Sequence, residues 1–141
     1  PAKRVSLRPK GHLADTGLAC HHAQISSPRA LTAHPLFGAL FETAMVSELI
    51  KQASRLPTRP TFHHWPAAGG AEVDILLERD GMLYPIEIKL TANPNRRMAK
   101  GIEAFQAAHA HLNCGPGALL CPVEQTRWVS ENVLAIPWNL I

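Results

Sequence analysis

Apolar and polar residues alternate along two short segments of the chain, one on each side of the dipeptide Asp80-Gly81. A period of two is typical of a β-strand that buries one of its faces. Asp-Gly between two such segments is a strong signal for a two-residue β-hairpin turn. The pattern therefore predicts a hairpin over residues 71–90, with Val73, Ile75 and Leu77 on the apolar face of its first strand.

A two-residue turn fixes which residues face each other across this hairpin. On the polar face it places Asp74 opposite Glu87, and Glu72 opposite Lys89. Directly opposed side chains have Cβ atoms ~4.5–5.5 Å apart, and like charges at that separation destabilise the strand pair. Two interpretations stay open: a cation lies between the carboxylates of Asp74 and Glu87, or both carboxylates spread apart in solvent.

Mg²⁺ or Mn²⁺ would suit such a pair, because these ions prefer carboxylate oxygens and keep several bound waters. A third carboxylate, Glu42, lies on a long helix predicted over residues 36–54, on the apolar stripe that also carries Met45 and Val46. A carboxylate on such a stripe is costly to bury unless it is paired. Either Glu42 points toward the hairpin carboxylates, or it reaches solvent at the edge of the stripe.

The remaining pattern predicts further helices and strands around the hairpin. We expect a short helix over residues 18–22 capped at Asp15-Thr16, a loop over 26–33, strands over 61–65, 118–121 and 133–136, and a helix over 97–112. The order helix, strand, strand, strand, helix, strand is typical of an α/β fold with a mixed sheet flanked by helices.

The composition is that of an ordinary globular chain. With 141 residues, 46% hydrophobic and 18% charged, we expect residues 1–141 to form a single domain. No apolar run reaches the ~18–20 residues of a membrane span, and no signal-peptide pattern is present, so we expect no membrane partner. Three cysteines without a CxxC pair favour reduced thiols and a cytoplasmic location. Among them, Cys121 is predicted to be a buried core thiol.

A formal net charge of +3 permits nucleic-acid binding without requiring it. One basic cluster, Arg96, Arg97 and Lys100, follows the strand that carries Glu87 and Lys89. These three residues are candidates for contacts with a nucleic-acid backbone; a solvated surface is the alternative. A second cluster lies near the N-terminus and is also expected to be solvated: Lys3, Arg4, Arg8 and Lys10.

Other chemistry receives less support. Three histidine clusters lack the spacing of a zinc finger or of HExxH: Cys20-His21-His22, His63-His64 and His109-x-His111. A structural zinc is therefore not the favoured interpretation. No glycine-rich phosphate loop is present, so this segment is not itself an ATPase.

The order of Glu42, Asp74 and Glu87-x-Lys89 resembles the PD-(D/E)xK nuclease superfamily, which has the restriction-endonuclease-like fold. More closely, the chain resembles the domain of unknown function 4143, the C-terminal part of many bacterial and archaeal AAA-type ATP-binding proteins. The matching stretches run in the family's order and are residues 14–18, 35–42 and 48–49, Trp65, residues 72–74 and 85–89. Pro66 departs from the basic residue expected after the tryptophan.

The resemblance implies a restriction-endonuclease-like αβββαβ core and a metal-dependent nuclease that hydrolyses phosphodiester bonds. Asp74 and Glu87 would bind Mg²⁺ or Mn²⁺ together with the carbonyl of Ile88. Glu42 would complete the acidic cluster, and Lys89 would orient or deprotonate the attacking water. All four residues have side chains of the types that this metal-dependent chemistry requires.

The resemblance also implies an AAA-type ATPase portion as a partner, and the start at Pro1 led us to expect a C-terminal fragment of such a protein. Two alternatives to a nuclease stay open. One is a non-catalytic regulatory or interaction domain of an AAA-type ATPase, which uses the fold as a scaffold. The other is a small-molecule enzyme on the same acidic residues.

Overall fold

A computed structural model describes residues 10–66 and 72–141 of the chain. The helices are α1 (Thr16–His22), α2 (Pro28–Ala33), α3 (Phe37–Ala53) and α4 (Lys100–Ala108). The strands are β1 (Thr61–Pro66), β2 (Glu72–Arg79), β3 (Met82–Ile88), β4 (Gly117–Cys121), β5 (Arg127–Ser130) and β6 (Val133–Pro137). Two 3₁₀ turns, Arg96–Ala99 and Trp138–Leu140, complete these elements.

The strands form one mixed six-stranded sheet in the order β1-β2-β3-β4-β6-β5. The pairs β1–β2, β2–β3 and β5–β6 are antiparallel, and the pairs β3–β4 and β4–β6 are parallel. The parallel pairs need crossover connections, and α4 provides the first of these, between β3 and β4. The predicted α/β class with a mixed sheet and flanking helices is confirmed.

The turn of the β2–β3 hairpin has the predicted geometry. Asp80 and Gly81 both have positive φ angles, 53° and 73°, as a type I′ hairpin turn requires. The predicted register follows from it, from Arg79 opposite Met82 to Ile75 opposite Ile86. Ala71, the first residue of the predicted hairpin, lies outside the described residues.

The first strand of the hairpin is less regular than its alternation predicts. Pairing between β1 and β2 shifts register where His63 and Trp65 face β2. As a result Val73 packs with Leu76 and Phe105, and not on the face that carries Ile75. The prediction of a single apolar face was therefore wrong at Val73. An irregularity of one residue in a strand turns the side chains beyond it to the other face of the sheet.

Helices cover the two faces of the sheet. Met45 and Val46 of α3 pack on one face in a core cluster with Ile75, Ile86 and Leu120. On the other face, Ile102 of α4 packs with a second cluster that holds Leu119, Cys121, Val133 and Ala135. Cys121 is thus a buried core thiol, as predicted. β3, with neighbours on both sides and helices on both faces, occupies the centre of this arrangement.

The structure differs from the predicted helices and strands in three places. Residues 26–33, predicted as a loop, contain α2, which Ser27 caps through a hydrogen bond from the Ala30 N–H. The second long helix ends at Ala108 instead of residue 112, and its first turn is 3₁₀. β5 was not predicted, because its short sequence alternates too little to stand out.

Within the part of the chain that the structure describes, no helix is long and apolar enough to cross a membrane.

Candidate functional site

Three carboxylates from different elements converge on one ammonium group. The Nζ atom of Lys10 lies 2.7 Å from Glu42 on α3, and 2.8 Å from both Glu72 and Asp74 on β2. Burial alone lowers the pKa of the Lys10 ammonium, but its bonds to Asp74, Glu42 and Glu72 outweigh burial and raise that pKa. Lys10 therefore stays charged at neutral pH and neutralises part of the cluster.

Asp74 is the most firmly held of the three acids. The ladder between β2 and β3 ends with Ile75 opposite Ile86. Beyond that pair, Oδ2 of Asp74 accepts a hydrogen bond of 2.9 Å from the backbone N–H of Ile88. Oδ1 of the same carboxylate accepts from Lys10 at 2.8 Å. Both oxygens are thus fixed, and the carboxylate joins the end of β3 to the Lys10 cluster.

Glu42 reaches the cluster from the apolar stripe of α3, one turn before the buried Met45 and Val46. Its Oε1 atom is close to Lys10 but outside hydrogen-bonding geometry, and it is buried without a hydrogen-bond partner among the described residues. His12 lies nearby, with its Nε2 3.9 Å from Oε1. The prediction that Glu42 points toward Asp74 agrees with this placement, since one ammonium group bridges the two carboxylates.

Glu87 and Lys89 form a second group that adjoins the first. Their side chains are 2.9 Å apart, and only 6% of the Glu87 side chain is exposed. Burial raises the pKa of Glu87; Lys89 lowers it, while Asp74 and Glu72 raise it further. Burial lowers the pKa of Lys89, yet its bond to Glu87 reverses that effect and the pKa is raised.

A glycine of α4 makes room for the Glu87 carboxylate. A Cβ atom on Gly101 would collide with Oε1 of Glu87 and with the backbone carbonyl of Glu72. Helix α4 can therefore approach the sheet at this point only because residue 101 has no side chain. Exposed basic residues surround this contact: Lys100 precedes Gly101, and Arg96 and Arg97 lie one turn earlier.

The structure departs from the predicted site in two respects. Glu72 was predicted to face Lys89, but it bonds to Lys10, while Lys89 bonds to Glu87. The carboxylates therefore form two adjoining groups, not one row across the hairpin. Lys10 was expected to be solvated and is instead the centre of the cluster; Lys3, Arg4 and Arg8 lie outside the described residues.

No motif or spacing in the sequence identifies Lys10 or the role of Glu72. Their bond joins residues 62 positions apart, so neither alternation nor helical periodicity detects it. The contribution of Ile88 that the structure shows is its backbone N–H, which binds Asp74. Its carbonyl, and the metal and catalytic roles of the other site residues, stay predictions.

The donor set is compatible with a hard cation. Oxygen atoms of Glu42, Glu72 and Asp74 already surround one positive charge, the ammonium of Lys10. With Lys10 in this position, residues 10–66 and 72–141 contain no group of three or more His, Cys, Asp and Glu side chains arranged to hold a metal ion. Of the paired histidines His63 and His64, His63 lies 3.1 Å from Glu78.

Residues 37–141 match the family described as Domain of unknown function (DUF4143). The chain belongs to this family. Lys10 precedes the matched DUF4143 segment, whereas Glu42, Asp74, Glu87 and Lys89 all lie inside it.

Two curated relatives resemble the DUF4143 chain over nearly its whole length. They are the uncharacterized proteins Rv2008c of Mycobacterium tuberculosis and Mb2031c of Mycobacterium bovis. Each is 31% identical over 141 residues, which is 99% of this chain and 30% of the relative. The chain thus spans about a third of the length of these relatives.

Proposed function

We propose that this DUF4143 chain is a divalent-cation-dependent hydrolase of nucleic-acid phosphodiester bonds. The observation that carries the proposal is an excess of negative charge at one place. Four carboxylates adjoin only two ammonium groups, which leaves a formal charge of −2 in the set Glu42, Glu72, Asp74, Glu87, Lys10 and Lys89. One divalent cation has the charge that would balance this excess.

The order of elements supports the proposed fold family. From α3 onward, the chain runs through β1, β2, β3, α4 and β4. This is the αβββαβ order of the restriction-endonuclease-like core, to which we assign the chain on its resemblance to the PD-(D/E)xK superfamily. In this assignment Asp74 lies on the second strand, Glu87 and Lys89 lie at the end of the third strand, and Glu42 lies on the first core helix.

Asp74, Glu87 and the carbonyl of Ile88 would hold Mg²⁺ or Mn²⁺, with Glu42 as a further ligand, direct or through water. Such an ion, when bound, supplies a water of lowered pKa and stabilises charge on a phosphoryl oxygen. The carboxylates would have to turn from Lys10 and Lys89 toward the ion. Glu42 would give up the contact of 2.7 Å between its Oε1 atom and Lys10, and Asp74 would give up its bond of 2.8 Å to the same ammonium.

Lys89 would bind the attacking water or a phosphoryl oxygen. Its ammonium is tied to Glu87 on one side and is partly exposed. Because its pKa is raised, we assign it the orienting and charge-stabilising role and not that of a general base. The exposed Arg96, Arg97 and Lys100 would hold flanking phosphates without recognising bases.

We further propose that the domain acts beside an AAA-type ATPase portion in a longer protein. The support is the family resemblance, together with the greater length of the two mycobacterial relatives. ATP hydrolysis would then control access of nucleic acid to the acidic site.

One observation favours a second candidate, a non-catalytic regulatory or interaction domain. Lys10 contacts three carboxylates at 2.7 to 2.8 Å, so the cluster has a counter-charge without any metal. In that case the acidic residues and Lys10 would stabilise a scaffold, and no residue of the site would be needed for cleavage.

The deciding experiment is cleavage of single- and double-stranded DNA and RNA with Mg²⁺, Mn²⁺ or EDTA. We expect metal-dependent cleavage that Asp74→Ala abolishes. Glu124→Ala is the matched control, because Glu124 is an exposed carboxylate outside the cluster, and it should retain activity. Cleavage that persists in Asp74→Ala, or its absence from the chain on every substrate, would favour the scaffold.

A further inference from the structure

The ammonium of Lys10 lies where a cation would have to bind. It is within 2.8 Å of oxygens from Glu42, Glu72 and Asp74, and two of these acids are proposed cation ligands. Mg²⁺ needs its own oxygen contacts at ~2.0–2.1 Å. An ammonium held at these oxygens and a divalent ion bound by the same carboxylates repel each other strongly at this separation, so each weakens the binding of the other.

The segment that carries Lys10 is attached lightly. Residues 10–14 run alongside α3 and reach Asp15, the N-cap of α1. Besides the ion pair between Lys10 and Glu42, the side-chain contacts of these residues with α3 are few: Ser47 donates to the carbonyl of Ala14 at 2.9 Å, and His12 lies 3.4 Å from the hydroxyl of Thr43 and 3.9 Å from Glu42. The three bonds of Lys10 are thus a large part of what holds the segment in place. Movement of this short segment would free the carboxylates without disturbing the sheet.

We propose that Lys10 is a built-in competitor of the divalent cation, and that residues 10–14 form a strap that must lift before the ion binds. The proposal rests on the proposed function only in that it takes the acidic site to accept a divalent cation; it does not require cleavage. The strap would keep the site filled by a monovalent charge until a divalent ion of sufficient concentration, or a partner that draws the strap away, displaces it.

Competition between Lys10 and the ion would change the apparent affinity for the ion by a measurable factor. If the strap is closed in about nine of ten molecules, the apparent affinity for the ion is about tenfold weaker than that of the open site. Lys10→Met keeps a long side chain but removes the charge, so we expect Mn²⁺ to bind this variant at least about tenfold more tightly. Lys10→Arg keeps the charge and should stay close to the wild type.

Titration calorimetry with MnCl₂ measures these affinities. Lys51→Met is the matched control, because Lys51 is an exposed lysine on α3 that lies 3.8 Å from Glu48. It changes the net charge by the same amount as Lys10→Met does. Equal tightening in both variants would mean that net charge alone acts, and would overturn the strap.

A second measurement needs no variant. In the absence of metal, the bonds to three carboxylates should protect the Lys10 amine from acetylation by an N-hydroxysuccinimide ester. Saturating Mn²⁺ should release the amine and raise its acetylation rate several-fold, measured by peptide mass spectrometry, while the rate at Lys51 should not change. An unchanged rate at Lys10 while Mn²⁺ is bound would overturn the proposal, even if Lys10→Met fails to fold.

The outcomes separate this inference from the proposed function. Tight Mn²⁺ binding by Lys10→Met without cleavage of any nucleic acid would support the strap and contradict the hydrolase. Metal-dependent cleavage with unaltered affinity in Lys10→Met would do the reverse. Failure of both the wild type and Lys10→Met to bind Mn²⁺ would overturn the strap. It would also contradict the divalent-cation dependence in the proposed function.

Discussion

The two charged groups of the site are built in contrasting ways. The Glu87–Lys89 pair is local: the residues are two positions apart, and α4 covers the carboxylate through Gly101. The Lys10 cluster is assembled over a long range, with bonds between residues 62 and 64 positions apart. In the first group the Glu87 carboxylate is buried and Lys89 is partly exposed; the second group depends on a short segment beside α3. The comparison suggests that the buried group supplies fixed chemistry and that the long-range group controls access.

The largest effect is expected at the local group. Lys89→Met should reduce cleavage by about 10²–10⁴-fold, the range of a positioned proton-transfer or charge-stabilising group. Mn²⁺ affinity should not fall, because an ammonium is not a ligand. Steady-state cleavage and calorimetry on the same preparation make the measurement, with Lys51→Met as the control. A variant that loses metal binding together with activity would identify Lys89 as structural.

Metal binding should stabilise the fold through both groups at once. An ion that binds only the native state at about 100 times its Kd contributes roughly 2.7 kcal/mol. We expect Mn²⁺ to raise the thermal midpoint, and Glu87→Gln to remove most of the increase. An increase that survives in Glu87→Gln but disappears in Asp74→Ala would place the ion in the Lys10 cluster alone.

A substitution that disturbs the packing between α4 and Glu87 tests their close approach. Gly101→Ala introduces a Cβ atom that collides with Glu87 and with the Glu72 carbonyl, so we expect a loss of about 1–3 kcal/mol in the free energy of unfolding. Gly38→Ala on α3 is the control, because nothing lies within 4 Å of a Cβ there. It should be neutral or stabilising by up to ~1 kcal/mol. Equal stability of the two variants, measured by urea denaturation, would show that α4 can move away.

The smallest effect concerns the charge on Glu87. Its raised pKa means that the folded chain binds this proton more tightly than the unfolded chain does. Stability from this group is therefore present at acidic pH and is lost as pH rises through the raised pKa. Glu87→Gln cannot ionise, so without metal it should gain stability relative to the wild type between acidic and neutral pH.

Urea denaturation across this pH range measures the difference. Glu124→Gln, an exposed control, should follow the wild type at every pH. A Glu87→Gln variant that loses stability at neutral pH would show that the bond to Lys89 outweighs the cost of burial.

The hairpin turn, the start of α1 and helix α3 could be predicted because residues close together in the sequence determine their backbone conformation. Asp80-Gly81 sets the hairpin turn, Asp15 accepts a hydrogen bond from the Leu18 N–H at the start of α1, and α3 lies within one residue of its predicted bounds. Helix α2 could also have been predicted, since Ser27 before Pro28 is a cap followed by a favoured first residue. In each case a few consecutive side chains decide the backbone conformation.

The sequence alone determined most of the strands and helices, because residues at a regular spacing share one face of an element, but it left open whether Glu42 approaches Asp74. Tertiary structure alone decided the register shift that turns Val73 away from Ile75, the room that Gly101 leaves for Glu87, and the bonds of Lys10. The physical reason is distance along the chain. Burial and charge pairing between residues more than 60 positions apart depend on how the helices pack on the sheet. The pattern of neighbouring residues in the sequence does not reveal that packing.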